Sequence, residues 1–339
     1  MSHYGPMKSQ AIILASRPTG EPQKENFRVE ERELPELQRN QILLENVCFT
    51  VDPYMRGRMS EGESYVPPFQ VDEPLDGGVV GRVLKSQSEN FKEGDLVASD
   101  TGGWRSHCIL ESSQAKTLDT SVFEPSDYLG AAGMPGLTAY AGFFELGQPK
   151  AGDTVFVSAA SGAVGSLVCQ FAKLNGCEVY GAAGSDKKIA YLEKDLRIDG
   201  AFNYKSKKSV LQQMNDLIPG GLDIYWDNVG GDFLEAAIEK MKLHGRIVSC
   251  GMISVYNAEE PPPGPRNLFR IIQRRLQMKG LLVMDHESLR GEYLQRLAQW
   301  KKNGQVSWKT TRVQGLEKGV DAFLGLFSGD NIGKMIVDL

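Results

Sequence analysis

Val155-Phe-Val-Ser-Ala-Ala-Ser-Gly-Ala-Val-Gly165 runs an apolar strand into a tight turn of small residues and then into a helix. A Rossmann domain grips a dinucleotide pyrophosphate in this way. Small residues let the backbone approach the phosphates, and the helix N-terminus offers unpaired N–H groups and a partial positive charge. The spacing is Ala160-x-Gly162-x-x-Gly165, with alanine in place of the usual first glycine. Small-residue loops are common, so the context has to strengthen the reading.

Outward from this loop, the chain beyond residue 153 alternates strand and helix. Candidate strands cover 154–158, 178–182, 201–204, 223–227, 246–250 and 278–283, with helices at 163–174, 186–195, 206–217 and 231–241. This alternation predicts parallel pairing in a doubly wound sheet, an α/β fold. A proline-rich loop, Pro261-Pro-Pro-Gly-Pro265, interrupts the last crossover and reads either as a lid or as a plain connector. A basic amphipathic helix over 267–276, a helix over 289–302 and a β-like tail follow.

The part before residue 118 reads differently. Short apolar runs at 11–14, 42–47 and 79–84 are broken by Gly, Pro and Asp, with no long helical periodicity. A compact barrel-like β domain is expected, which the tail returns to complete. The N-terminal Met1-Ser-His-Tyr-Gly-Pro-Met7 has no apolar signal core and reads as a disordered lead-in or expression remnant.

With 339 residues, the chain can build two cores. Its 41% hydrophobic and 24% charged residues match a soluble globular protein. A net charge of −5 argues against nucleic-acid or anionic-membrane partners, and no apolar run is long enough to cross a bilayer. The five scattered cysteines (Cys48, Cys108, Cys169, Cys177 and Cys250) suit reduced thiols in a cytoplasm.

The turn after the second strand of the alternating part selects the cofactor. NAD enzymes carry an acid about 20 residues past the glycine loop, on the ribose hydroxyls. Here the strand ends in Gly184-Ser185 and two lysines, Lys187 and Lys188, follow Asp186. Room and positive charge suit a 2′-phosphate and favour NADP(H). Tyr204 is placed to close over that phosphate or to stack on adenine. Asp186 has two readings: pointing inward it would repel the phosphate, while at the helix start it complements the dipole.

These residues give the chain a resemblance to the medium-chain dehydrogenase/reductase superfamily. It is most similar to the zinc-independent branch of prostaglandin reductases, alkenal double-bond reductases and bacterial curcumin reductases. The matching blocks run through nearly the whole chain: Val51-Asp-Pro-Tyr-Met-Arg-Gly-Arg58, Gly133-Met-Pro-Gly-Leu-Thr-Ala-Tyr140, the 159–165 loop, Ala183-Gly-Ser-Asp-Lys-Lys188, Asp227-Asn-Val-Gly-Gly231, Cys250-Gly-Met-Ile-Ser-Val-Tyr-Asn257 and Gly329-Asp-Asn-Ile-Gly-Lys334. The resemblance implies a GroES-like β-barrel domain (1–128 and 303–339) and a Rossmann NADP-binding domain with a six-stranded parallel sheet (129–302). It also implies a homodimer paired through the edge strand near 278–283.

Carried over by residue, the resemblance implies that Gly162, Ala163, Val164 and Gly165 hold the pyrophosphate. Gly184, Ser185, Lys188 and Tyr204 hold the adenosine phosphate end. Asn228 lies beside the ribose. Cys250, Gly251, Met252, Ile253 and Tyr256 pass the nicotinamide half, completed by Leu281, Leu282, Val283 and Asn331, and Thr138 approaches the nicotinamide. Lys187 departs from the many relatives that have Glu there.

Many relatives in the superfamily use catalytic zinc, which needs Cys, His and often Glu ligands. Cys48 falls near a ligand position, but Gly77-Gly78 stand where a His-Glu pair would be. No metal is expected, and Cys48 reads as a buried strand cysteine.

The resemblance implies reduction of an α,β-unsaturated aldehyde or ketone, curcumin- or prostaglandin-like enones included, with hydride passing from NADPH to the β-carbon. Negative charge then develops on the carbonyl oxygen and needs a positioned donor. Tyr256 is the catalytic candidate: its phenol either bonds the enolate oxygen or orients the nicotinamide ribose hydroxyl that does. Its ordinary pKa near 10 favours a hydrogen-bonding role over full proton transfer. Tyr54 and Arg56 are substrate-lining candidates. A quinone reductase and a zinc-free alcohol dehydrogenase are the alternatives within the fold; a non-catalytic NADPH-binding protein is the alternative from another class.

Overall fold

The computed structural model describes residues 7–62 and 64–339. The expectation for the N-terminal lead-in falls mostly outside the described residues. The chain divides into two compact units. The first runs to Leu129 and takes in Thr310–Asn331 and Met335–Leu339; the second is Gly130–Lys309 with Ile332–Lys334.

The first unit opens with seven strands: β1 (Lys8–Leu14), β2 (Phe27–Glu33), β3 (Gln41–Thr50), β4 (Val79–Ser86), β5 (Leu96–Ser99), β6 (His107–Glu111) and β7 (Ala115–Thr117). A single helical turn, α1 (Met55–Arg58), follows β3. β1 pairs antiparallel with β2. β2 buries only Phe27, and its remaining face is charged, which blunts a sheet margin against further pairing. β3 buries most of its length and pairs with both β4 and β6.

The second unit begins with α2 (Met134–Ala141), which widens into a π-turn over Gly142–Gly147. Strands β8 (Thr154–Val157), β9 (Glu178–Ala183), β10 (Gly200–Asn203), β11 (Leu222–Asp227), β12 (Met241–Ser249) and β13 (Gln277–Gly280) follow. Between and after them come α3 (Gly165–Leu174), α4 (Asp186–Ala190), α5 (Val210–Leu217), α6 (Gly231–Lys240), α7 (Phe269–Arg274) and α8 (Arg290–Lys302). The six strands form one parallel sheet in the order β10-β9-β8-β11-β12-β13. That order reverses direction between β8 and β11, the place where doubly wound sheets bind ligands beyond their strand ends. β8 is wholly buried, as a central parallel strand covered on both faces must be. Phe156 stacks on Phe202 and Tyr225 at centroid distances of 5.6 and 6.0 Å.

Three elements differ from the sequence-based expectations. The sixth strand ends at Gly280; Leu281 keeps one backbone bond to β12, and Leu282 and Val283 turn away into a 3-10 turn. α2 lies in a stretch where no helix was expected. The tail is not all β: β14 (Thr310–Gln314) and β15 (Lys334–Asp338) flank a helix, α9 (Gly319–Ser328). α9 buries Gly319, Ala322, Phe323 and Leu326 on one stripe and ends on Gly329 at φ +79°, the usual left-handed stop. Phe323 reaches Trp104 at 5.8 Å, and Trp104 lies 5.6 Å from Phe49, so α9 closes the first unit's core. β15 pairs antiparallel with β3.

Candidate cofactor and active site

β8 ends at Val157, and the chain turns through Ser158–Val164 into α3. Ala159 takes φ +46°, a left-handed conformation that non-glycine residues adopt at some cost. Its carbonyl then accepts from Gly162 N–H at 3.1 Å. A Cβ on Gly165 would come within 2.5 Å of that carbonyl oxygen, so only glycine fits the first residue of α3. The α3 N-terminus therefore stands close behind the loop, with Gly162, Ala163, Val164 and Gly165 leading into it. Ile332–Lys334 runs alongside, with Gly333 N–H donating to the Ser161 carbonyl at 2.8 Å. Asn331 directly precedes that segment.

At the end of β9, Ser185 caps α4; its side-chain oxygen accepts from Lys188 N–H. The Lys188 side chain is largely buried. A Cβ on Gly184 would lie 2.7 Å from the Tyr204 hydroxyl and 3.3 Å from Lys205 Cε. A Cβ there would push both side chains aside, so with glycine in place the tyrosine and lysine at the exit of β10 cover the β9 turn. Asp186 resolves between its two readings: its carboxylate accepts from Asn203 Nδ2 at 2.9 Å. Sequence reasoning missed both Asn203 and Lys205, although they stand in the Phe-Asn-Tyr-Lys stretch that supplied Tyr204.

The ends of β11 and β12 form one platform. Gly230 and Gly231 have φ of +71° and +52°, which suits two glycines. The Asp227 carbonyl accepts from the N–H groups of Cys250 and Gly251, and the Asn228 carbonyl from Ile253 N–H. Asn228 is held at both ends of its amide, by the Ser158 carbonyl at 2.7 Å and by Trp226 Nε1 at 3.0 Å. Beneath it, Asp227 is fully buried. One of its oxygens accepts from the Tyr225 hydroxyl at 2.7 Å and from the N–H groups of Val229 and Gly230; the other has no partner. Burial pushes this carboxyl above its usual range, against the pull of those donors. Burial likewise pushes the Cys250 thiol up to about 12, which suits a packing residue and not a nucleophile.

Tyr256 follows a short 3-10 turn, Ile253–Val255, and folds back on its own loop. Its phenolic oxygen accepts from Met252 N–H at 3.2 Å and lies 3.1 Å from where a Cβ on Gly251 would be. Leu281 hydrogen-bonds through its N–H to the Ser249 carbonyl, and its side chain abuts Gly142. Leu282 and Val283 follow it, half-buried. Thr138, on α2, is buried with its hydroxyl donating to the Met134 carbonyl at 2.8 Å. The structure therefore gathers Gly162–Gly165, Gly184–Lys188, Asn228 and the 250–256 loop at the C-terminal edge of one parallel sheet.

In the first unit, Tyr54 is half-buried at the start of α1. Burial, with Asp52 nearby, raises its phenol above the usual range. Arg56 is buried; its guanidinium donates to the Gly20 carbonyl and to the Ser60 hydroxyl, both at 2.8 Å. It ties the loop around Gly20 to α1. Cys48 is buried within β3, its thiol pushed up to about 12 by desolvation. Among the described residues no group of three or more His, Cys, Asp or Glu is arranged to hold a metal ion.

Residues 10–118 match the model described as the N-terminal domain of oxidoreductase, and residues 163–299 match that described as zinc-binding dehydrogenase. The chain is 43% identical to a 2-alkenal reductase (NADP(+)-dependent) of Nicotiana tabacum over 338 residues, 98% of this chain and 97% of the relative. The chain belongs to the medium-chain dehydrogenase/reductase family. Within that family it is also 37% identical to an NADPH-dependent curcumin reductase of Escherichia coli, over 97% of this chain and 96% of the relative. A solved structure of CurA from Vibrio vulnificus in complex with NADPH has 38% identity and a TM-score of 0.92, covering 97% of this chain and 98% of that one. The fold is that of the family: an antiparallel GroES-like domain and a Rossmann domain.

Proposed function

We propose that this family member is an NADPH-dependent reductase of the carbon–carbon double bond in α,β-unsaturated aldehydes and ketones. The relatives named for 2-alkenal and curcumin reduction support the reaction class, and the cradle at Gly165 and Gly184 supports the cofactor. Gly165 lets α3 start hard against the Ala159 carbonyl, which keeps the pyrophosphate loop tight, and Gly184 lets the Tyr204 hydroxyl close over the turn that carries Ser185 and Lys188. NADPH, when bound, supplies the hydride that reaches the substrate's β-carbon.

The observation that carries the chemistry is the hydrogen bond from Met252 N–H to the Tyr256 oxygen. A phenol that accepts a hydrogen bond is a stronger donor in turn. Tyr256 thus donates toward the oxygen where enolate charge develops, or toward the ribose hydroxyl that contacts it. The double bond is reduced when the α-carbon then takes a proton. Asn228, fixed at both ends of its amide, holds the ribose side. Cys250, Gly251, Met252 and Ile253 wall the nicotinamide half, with Leu281, Leu282, Val283, Thr138 and Asn331. Tyr54 and Arg56 are assigned to the substrate side; Arg56 also ties the loop around Gly20 to α1, the turn that Tyr54 begins.

The enzyme works without zinc: reduction of an activated alkene needs no Lewis acid, and Gly77-Gly78 replace the His-Glu pair. It pairs as a homodimer through β13. That strand lies at the margin of the parallel sheet, beside exposed Leu268, Phe269, Ile272 and Met278, and an apolar sheet edge favours pairing with its symmetry mate. A strictly monomeric mass in solution would refute this. The absence of disulfides among the five cysteines favours a reducing, cytoplasmic setting.

The test of function is cofactor oxidation followed by absorbance, with NADPH and NADH against a 2-alkenal, a 2-alkenone and a quinone. NADPH-dependent turnover of the enal or enone to the saturated carbonyl is expected. Quinone turnover alone would move the enzyme to another reaction. NADPH binding with no turnover of any acceptor would make it a non-catalytic binder.

A further inference from the structure

Asn203 joins two turns that the cofactor's adenosine end must meet. Its Nδ2 donates to Asp186 Oδ1 at 2.9 Å, and its Oδ1 accepts from Lys205 N–H at 3.0 Å. The amide does both through two separate atoms, whereas a carboxylate cannot donate to Asp186 and an ammonium cannot accept from Lys205. Asp186 is the first residue of α4, one position after the cap Ser185. A carboxylate at that place, turned toward the β9 end, would face the negative charge of a 2′-phosphate. The bond to Asn203 instead directs it toward β10. The same side chain fixes the backbone of Lys205, whose Cε lies 3.3 Å from the vacant Cβ position of Gly184, beside the Tyr204 hydroxyl at 2.7 Å.

We infer that Asn203 is a specificity-determining positioning residue for NADPH over NADH. It holds the Asp186 carboxylate away from the 2′-phosphate and presents Lys205 as a second cation, beside Lys188. Charge repulsion from Asp186 is removed and attraction from Lys205 is added by one amide.

The experiment is calorimetric titration of the full-length protein with 2′,5′-ADP and with 5′-ADP, which differ only in the 2′-phosphate. Wild type is expected to prefer 2′,5′-ADP. Asn203→Ala should weaken 2′,5′-ADP about tenfold while leaving 5′-ADP within about twofold, since one repelling charge is freed near one phosphate. Asp186→Asn in the Asn203→Ala background should restore most of the lost affinity. Lys205→Ala, at an exposed side chain, should also weaken 2′,5′-ADP selectively and flatten its salt dependence. If Asn203→Ala does not fold, Asn203→Asp keeps the shape, places like charges together and should show the same selective loss.

A 2′,5′-ADP affinity left unchanged by the Asn203 substitution overturns the inference alone. Equal weakening of both ligands also overturns it, because the residue would then serve only the fold. The inference rests on the NADP reading of this pocket. Equal affinity of wild type for the two ligands would overturn that reading, and the inference with it.

Discussion

Ala160 and Gly181 share the volume of one side chain. A Cβ on Gly181 would lie 2.7 Å from the Ala160 methyl, and Ala160 N–H donates to the Ala182 carbonyl at 2.9 Å. Ala160 occupies the first small position of the phosphate loop, where a glycine is usual. The glycine has in effect moved across to β9, so loop and strand still approach closely.

Adding the missing methyl should therefore disturb the fold at this point. Gly181→Ala is expected to lower the unfolding free energy by about 1–3 kcal/mol, the range for overpacking a buried site. Ala160→Gly in the same chain should recover part of the loss, because the clashing atom is gone. Urea denaturation reads both. An unchanged midpoint for Gly181→Ala alone would contradict the packing argument.

Tyr256→Phe removes the phenol and leaves the ring. Loss of one donor to a developing oxyanion typically lowers kcat by about 10²-fold or more. Steady-state rates with a 2-alkenal should show that fall, with little change in NADPH affinity measured by fluorescence titration. A normal kcat would reduce Tyr256 to a pocket wall.

Asp227 makes a pH prediction. Burial raises its pKa in the native state, and desolvation outweighs its hydrogen bonds. A raised native pKa means the folded state holds the proton more tightly than the unfolded chain. The stability so contributed is complete below the unfolded value of about 3.9 and is lost as pH rises through the native value. Asp227→Asn does not titrate and keeps an oxygen for the same donors. The wild type should therefore lose stability relative to Asp227→Asn as pH rises from acid toward neutrality. If the wild type gains instead, the backbone N–H groups and Tyr225 dominate and the native pKa is depressed.

Removal of metal should leave this enzyme unaffected. Prolonged incubation with a strong chelator, followed by gel filtration into metal-free buffer, is expected to preserve NADPH-dependent enal reduction. Activity lost to the chelator and restored by zinc would disprove the zinc-free reading.

The sequence by itself determined the parallel sheet and its phosphate loop. Fully buried strands such as β8 must read as continuous apolar runs, and the turn after them must read as small residues, so both signals are local. It also determined where charge and small residues cluster around Ser185 and Lys188. Tertiary structure alone decided the rest, because the deciding partners are distant in the chain. α9 is short and lies in an almost uniformly apolar run; Phe323 is drawn into a core with Trp104, more than 200 residues earlier. The strand after α7 stops at Gly280, where pairing with β12 runs out. Asp186 has two possible orientations as a sequence, and Asn203, on the neighbouring strand, selects one. A hydrogen bond between the start of α4 and the end of β10 depends on the register of β9 and β10, which no local pattern encodes.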